Sequence, residues 1–486
     1  MEQKQAEFVD FDASGFDVIY RNGEYVMACT GAFGLPAVEI FRSADLEHWS
    51  LVNRLDGIGA KAVRFVPDAE KPEMILTVPE EGIYSVGLPA PEGSFSLPVR
   101  LKQAVGRREC CAVADADGQM NLLSSFVRDL AGFGTFLYLE KQEAQGDGSF
   151  VFRGGSDLSG VQIVEKNGLY YIFAAVMHNG RFGQIVLRGN SLKGPFEEKT
   201  VLETDDSEAI QGIVVQSGSG ECRYLLQTGQ DSSDRVIVSR KLTWENGWPA
   251  IGGETEFTLK IVEPECWDCE KTPAIPFSWQ WSKAPQPDWY SFADGLLMYP
   301  QAKKAGVGLA GPEYVLTHRQ LLPGDALAVE VDYRNLPEYD AFGLLCTGDV
   351  ACGLFVQRWG EEFVLQLRKG GETERISDTC AELDETFLEG SDGRDSFRWE
   401  TMLNPCRVKK KIVLVIGRDK CGRIRFGFGP DETECHWLKQ GWEPVGKNNG
   451  SSRIGMTCFF SERGIMAGYA KITSVRRLDR FCNCIP

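Results

Sequence analysis

The chain has 486 residues, too many for one hydrophobic core, so two or three domains are expected. Hydrophobic residues make up 43% and aromatic residues 11%, which excludes long disordered stretches. A formal net charge of -17, a pI near 4.9 and no basic run longer than Lys409-Lys410-Lys411 argue against a nucleic-acid partner.

The first residues, Met1-Glu2-Gln3-Lys4-Gln5, carry no apolar segment, and no apolar run reaches membrane-spanning length. The expectation is a soluble cytoplasmic protein with no membrane partner; a homo-oligomer is compatible with the composition. Fifteen cysteines, an odd and irregularly spaced set, read as reduced apolar residues rather than a disulfide framework. Cys266-Trp267-Asp268-Cys269 and Cys482-Asn483-Cys484 have the spacing of half a zinc site each, but neither is specific. With only four histidines, His48, His178, His318 and His436, no metal and no cofactor are expected.

In chain order, the first half is a series of short β-rich runs broken by turn dipeptides. Asn22-Gly23 leads into Glu24-Tyr25-Val26-Met27-Ala28, and Asp68-Ala69 precedes Met74-Ile75-Leu76-Thr77-Val78. Asp117-Gly118, Asn167-Gly168 and Ser219-Gly220 precede three further runs. From 23 to 69 is 46 residues, then 49 to 118, 50 to 168 and 52 to 220. Five units of one period predict the blades of a five-bladed β-propeller, an architecture built by radial repetition. Pro264 to Pro276, rich in proline and charge, reads as a linker. Beyond it the period vanishes, while strands such as Ala326–Asp332 and Ile412–Ile416 continue between Gly/Asp/Asn turns. The prediction is an all-β chain: a propeller over 1–272 and a C-terminal β-sandwich over 273–486.

In such a ring the inner strand of each blade lines the axis, so positions eight or nine residues before each turn glycine should share one mouth. These are Gly15, Glu109, Ser159 and Gln211, with Ala60-Lys61 from the second blade. Asp12, Asp17, Asp157 and Glu208 lie close by in sequence. Paired carboxylates across a funnel are what glycoside hydrolysis requires, one to protonate the leaving oxygen and one to activate water. Turn capping by Asp and Glu explains any single one of them equally well. Phe16 and Phe33 are candidate platforms for a sugar ring, and His178 and Arg181 candidate hydrogen-bonding groups for its hydroxyls.

Four segments carry a family likeness. Ser43-Ala44-Asp45-Leu46-Glu47-His48-Trp49 resembles the "SxDLxxW" of family-43 glycoside hydrolases, and Asn167-Gly168-Leu169-Tyr170-Tyr171 resembles their fourth blade. Ser191-Leu192-Lys193-Gly194-Pro195-Phe196-Glu197 and Trp244-Glu245-Asn246-Gly247-Trp248-Pro249 are similar to "SLxGPxE" and "WxDGWP". In the second half, Trp279-Gln280-Trp281, Leu316–Gln320, Tyr339–Leu344 and Gly468-Tyr469-Ala470 resemble the concanavalin-like sandwich of the β-xylosidase and α-L-arabinofuranosidase branch. The resemblance implies hydrolysis of a small xyloside, arabinoside or related oligosaccharide, with an Asp base, a Glu acid and a second Asp that tunes the acid. It places the base at Gly15, the tuning residue at Glu109, the acid at Ser159 and an axial histidine at Gln211. Glycine offers no base and serine no proton at neutral pH. Two readings stay open: a rearranged carboxylate trio of Asp17, Glu109 and Asp157, or a funnel that binds a glycan without cleaving it. A third has the sandwich alone bind the sugar.

Overall fold

In the computed structural model the described residues are 5–8, 15–30, 36–67, 72–103, 106–126, 135–142, 148–154, 158–178, 181–203, 211–228, 236–252, 257–264, 266–283, 285–302, 314–318, 321, 324–347, 351–359, 362–369, 396–397, 411–431, 435–438, 453–460 and 468–478. Among them there are strands and turns but no helix. The chain divides into two compact units, Val9–Val262 and Glu263–Pro486, the second including Met1–Phe8.

The first unit is built on five antiparallel blades, each with four strands in strict sequence order, to which Phe257–Thr258 adds on the fifth and Lys260–Pro264 on the first. Blade one runs Phe16–Arg21, Glu24–Thr30, Ala37–Ser43, His48–Asp56, and blade two Ala62–Phe65, Glu73–Val78, Gly82–Gly87, Val99–Lys102. Blade three is Arg107–Ala114, Met120–Phe126, Phe136–Lys141, Ser149–Arg153. Blade four is Leu158–Lys166, Leu169–His178, Arg181–Gly189, Glu197–Glu203, and blade five Gln211–Gln216, Cys222–Thr228, Val236–Glu245, Trp248–Ile251. Each blade's first strand packs on the first strand of the next, and the fifth returns to the first, which closes a ring. The strand Lys260–Pro264 fastens it: Lys260, Ile261 and Val262 pair in parallel with His48, Trp49 and Ser50 of blade one.

The turns explain why the repeat was visible. Asn22 and Gly23, and again Asn167 and Gly168, all have positive φ. That is the mirror-image two-residue turn whose twist suits a tight hairpin, and Asn-Gly adopts it at least cost. Between blades the cores are apolar: Val26, Ile40, Val63 and Leu76 join blades one and two, and Cys111, Leu123, Leu137, Ile172 and Leu187 join three and four. Ser43–Trp49 is a scaffold element. Ser43 Oγ accepts from the amides of Asp45 and Leu46, Asp45 Oδ1 from those of Glu47 and His48, and the buried Trp49 donates Nε1–H to Leu46 O at 2.8 Å. Asn246-Gly247 serves similarly between blades four and five: Gly247 O accepts from Tyr171 OH, and Arg188 lies 4.2 Å above the Trp248 ring.

In the second unit two sheets face each other. One is ordered Tyr290–Phe292, Leu296–Met298, Ala470–Leu478, Ala326–Asp332, Ile412–Arg418, Ile424–Gly429, His436–Trp437. The other is ordered Trp279–Trp281, Leu316–His318, Ile454–Phe460, Ala341–Cys346, Cys352–Trp359, Glu362–Lys369, Ser396–Phe397. Strands Ala326–Asp332 and Ile412–Arg418 are buried along nearly their whole length, as sandwich-core strands should be. The segment expected to be a linker differs from that expectation. Cys266, Trp267 and Asp268 pair with Arg476, Val475 and Ser474, so the second unit begins before residue 272.

Candidate functional site

The inner strands of the ring all begin at one mouth, where the five blades approach closely enough to exchange hydrogen bonds. Gly15 is pinned first: its amide donates to Thr30 Oγ1 at 3.0 Å, and its carbonyl accepts from Thr30 N at 2.9 Å. A Cβ built there would lie 3.0 Å from Lys61 O and 3.2 Å from Ala62 Cα of blade two. The backbone of blade two thus crowds a side chain at 15.

Asp17, two residues on, lies where blades one and two meet at this mouth. It is 4% exposed, and its Oδ2 accepts from the Phe65 amide of blade two at 2.8 Å. Burial pushes its carboxyl up to about 6, opposed by the Arg64 guanidinium and the Phe65 and Val18 amides. Glu109 of blade three reaches across to blade four, where Oε1 accepts from Gly160 N at 2.9 Å and Oε2 from Val161 N at 2.8 Å. Gly160 has φ +64° and could not carry a Cβ, which would sit 2.7 Å from Gln211 Cγ. Gln211, on blade five, donates Nε2–H to Phe16 O of blade one at 2.8 Å.

At the centre lies Arg64, 1% exposed, a residue that sequence reasoning passed over. Nε donates to Val161 O of blade four at 2.9 Å, and Nη1 to Phe16 O and Val63 O, each at 2.8 Å. Nη2 is 3.7 Å from Glu109 Oε2 of blade three. The available signal was a lone cation inside the otherwise apolar strand Ala62-Val63-Arg64-Phe65.

The expected site residues therefore fare differently. Asp17, Glu109 and Gln211 come together, with Gly15 beside them. Asp157 and Phe33 lie outside the described residues, as do Asp12 and Glu208. Phe16 is at 0% exposure, so its ring belongs to the core and only its carbonyl serves the mouth, which corrects its assignment as a sugar platform. Gln211, expected to bind substrate, is 3% exposed and ties blade five to blade one instead. His178 and Arg181 are in-register partners across the hairpin of blade four. Ser159 is half-buried at the start of blade four's inner strand. Among the described residues no group of three or more His, Cys, Asp or Glu side chains could hold a metal ion, Cys266 and Cys269 included.

No protein-family model matches the chain. A protein of Xylanibacter ruminicola, provisionally named a beta-xylosidase, is 22% identical over 456 residues, covering 81% of this chain and 85% of that one. Among solved structures, a bifunctional GH43-CE protein of Bacteroides eggerthii matches 99% of the chain with a TM-score of 0.78 at 17% identity. This chain spans 65% of that protein's length. A GH43 protein of Bacillus licheniformis (TM-score 0.75, 15% identity, 98% of this chain and 100% of that one) and a xylan beta-1,4-xylosidase of Bacillus halodurans (0.69, 16%, 98% and 99%) share both parts of the fold. In fold the chain is thus a distant relative of the family-43 glycoside hydrolases, with Gly15 and Ser159 standing where the likeness places a base and an acid.

Proposed function

We propose that the protein acts on a β-xyloside, an α-L-arabinofuranoside or a related glycoside at the mouth of the propeller, using Asp17 and Glu109 as its carboxylates. One observation carries the reading: two acids of different environment meet around one buried guanidinium at the start of the inner strands. Glycosidic cleavage needs one carboxyl that holds a proton near neutral pH and one that stays ionised. Burial of Asp17 supports the first role, since its carboxyl is pushed up to about 6. Glu109, aimed by two backbone amides with Arg64 3.7 Å away, supplies the other carboxylate. Similarity along almost the whole chain to xylosidases adds the substrate class.

A second reading, glycan binding without cleavage, is favoured by Gly15, which carries no base and whose Cβ position is crowded by Lys61 O and Ala62 Cα. A panel of aryl β-xylosides and α-L-arabinofuranosides separates the two. Turnover by the wild type that falls by about two to four orders of magnitude in Asp17→Asn and Glu109→Gln supports the first. Asp157→Asn belongs in the same panel, because a loss there and not at Asp17 would move the acid to residue 157. Absent turnover with calorimetric binding of xylo-oligosaccharides selects the second reading, and neither turnover nor binding overturns both.

A further inference from the structure

Taking a guanidinium out of water is unfavourable by several kcal/mol unless its donors and charge are matched. Arg64 is met by groups from three other blades. Phe16 O of blade one and Val161 O of blade four accept from it, and the Glu109 carboxylate of blade three lies 3.7 Å from Nη2, which itself makes no hydrogen bond among the described residues. The same Phe16 carbonyl also accepts from Gln211 of blade five, so every blade is tied to this side chain directly or through one shared atom. We propose that Arg64 is the positioning residue of the propeller mouth, fixing the placement of Asp17 and Glu109. The inference rests on the reading of those two acids as the working carboxylates.

Geometry supplies the argument. Glu109 is aimed by the amides of Gly160 and Val161, and Arg64 binds the carbonyl of the same Val161, so one residue of blade four is gripped from both sides. Asp17 is held by the amide of Phe65, the neighbour of Arg64 on its own strand. Displacing the guanidinium would release the Val161 and Phe16 carbonyls from it and leave both Asp17 and Glu109 without the cation that faces them. A lysine cannot substitute fully, because a compact ammonium does not present the planar fork that reaches three carbonyls and a carboxylate at once. The titratable groups that interact with Asp17 are Arg64 of blade two and Cys111 of blade three, the latter also facing Glu109; burial holds the Cys111 thiol well above its usual range, hence neutral.

The test uses the full chain with Arg64→Gln and Arg64→Lys, reading the Asp17 carboxyl by carbon-13 NMR and the pH profile of kcat and KM on the best aryl glycoside. In the wild type Asp17 should titrate near 6. Arg64→Gln should raise that midpoint by about one pH unit or more and lower kcat about 100-fold with a smaller change in KM. Arg64→Lys should move the midpoint in the same direction by less, and it carries the test if Arg64→Gln fails to fold. A midpoint that stays put in folded variants overturns the proposal. If the midpoint moves while the wild type cleaves no glycoside, Arg64 keeps its role and the hydrolytic reading is the one that falls.

Discussion

Asp340 offers a sharp test of how the sandwich is held together. It precedes the strand Ala341–Cys346, is fully buried, and among the described residues neither carboxylate oxygen has a hydrogen-bond partner. Its backbone is satisfied, donating to Pro337 O at 3.1 Å and accepting from Arg358 N at 3.0 Å. Burial pushes the carboxyl from 3.8 up to about 7. The folded protein therefore holds a proton that the unfolded chain releases near pH 4. Stability from this group is complete below that value and is lost as pH rises towards and through 7. At about 1.4 kcal/mol per pH unit, the loss above pH 7.5 is on the order of 3 kcal/mol once some relaxation is allowed. Asp340→Asn keeps the shape and removes the titration. Near pH 5 the variant should match the wild type within about 1 kcal/mol, and at pH 8.5 it should be the more stable. For a unit of this size the gap is roughly 6–12 °C in Tm. Differential scanning calorimetry at the two pH values, with hydrogen exchange of 341–346 to localise the effect, measures it. A deficit of the same size at both pH values would refute the reasoning, because a lost contact has no pH dependence.

Gly160→Ala should cost roughly 2–4 kcal/mol, combining a left-handed backbone with a Cβ driven into Gln211; thermal unfolding within about 0.5 kcal/mol of wild type would contradict the crowding described at the mouth. A thiol count on denatured, unreduced protein should approach the full 15 if the protein resides in a reducing compartment. Under glutathione disulfide, Cys346 and Cys352 should be recovered as one linked peptide, since they face each other across adjacent antiparallel strands within disulfide reach. Recovery of other pairs with these two left free would count against the register.

The ring was legible because its turns need particular residues. Asn22-Gly23 and Asn167-Gly168 must adopt positive φ, so glycine marks each hairpin and the period can be counted. The same count put Gly15, Glu109 and Gln211 at one end of the ring, and they are there. What each side chain does could not be counted. Alternation along a strand says that Asp17 lies on one face, but in a propeller that face meets the next blade, and Asp17 ends on the Phe65 amide. Phe16 follows the same logic: its ring enters the core while its carbonyl, invisible in sequence, takes two hydrogen bonds. Arg64 carried a signal, a cation in an apolar strand, but its partners lie 48 and 97 residues away in chain order. Long-range pairing of that kind has no local pattern to read.

The fastening strand has a consequence for how the molecule is made. Lys260 lies beside His48, 212 residues later in the chain. At ribosomal speeds of about 5–20 residues per second, blade one emerges roughly ten to forty seconds before the strand that covers its outer edge. For that interval the edge of His48–Asp56 is open to any extended segment that meets it, including the same segment of a neighbouring nascent chain. Its middle, Leu51-Val52-Asn53-Arg54-Leu55, is apolar apart from Asn53 and Arg54, and Arg54 forms an ion pair with Asp56 at 2.8 Å. A polypeptide cut just short of residue 260 would keep that edge open permanently, leaving a closed ring of five blades with one bare outer strand, prone to joining with others edge to edge.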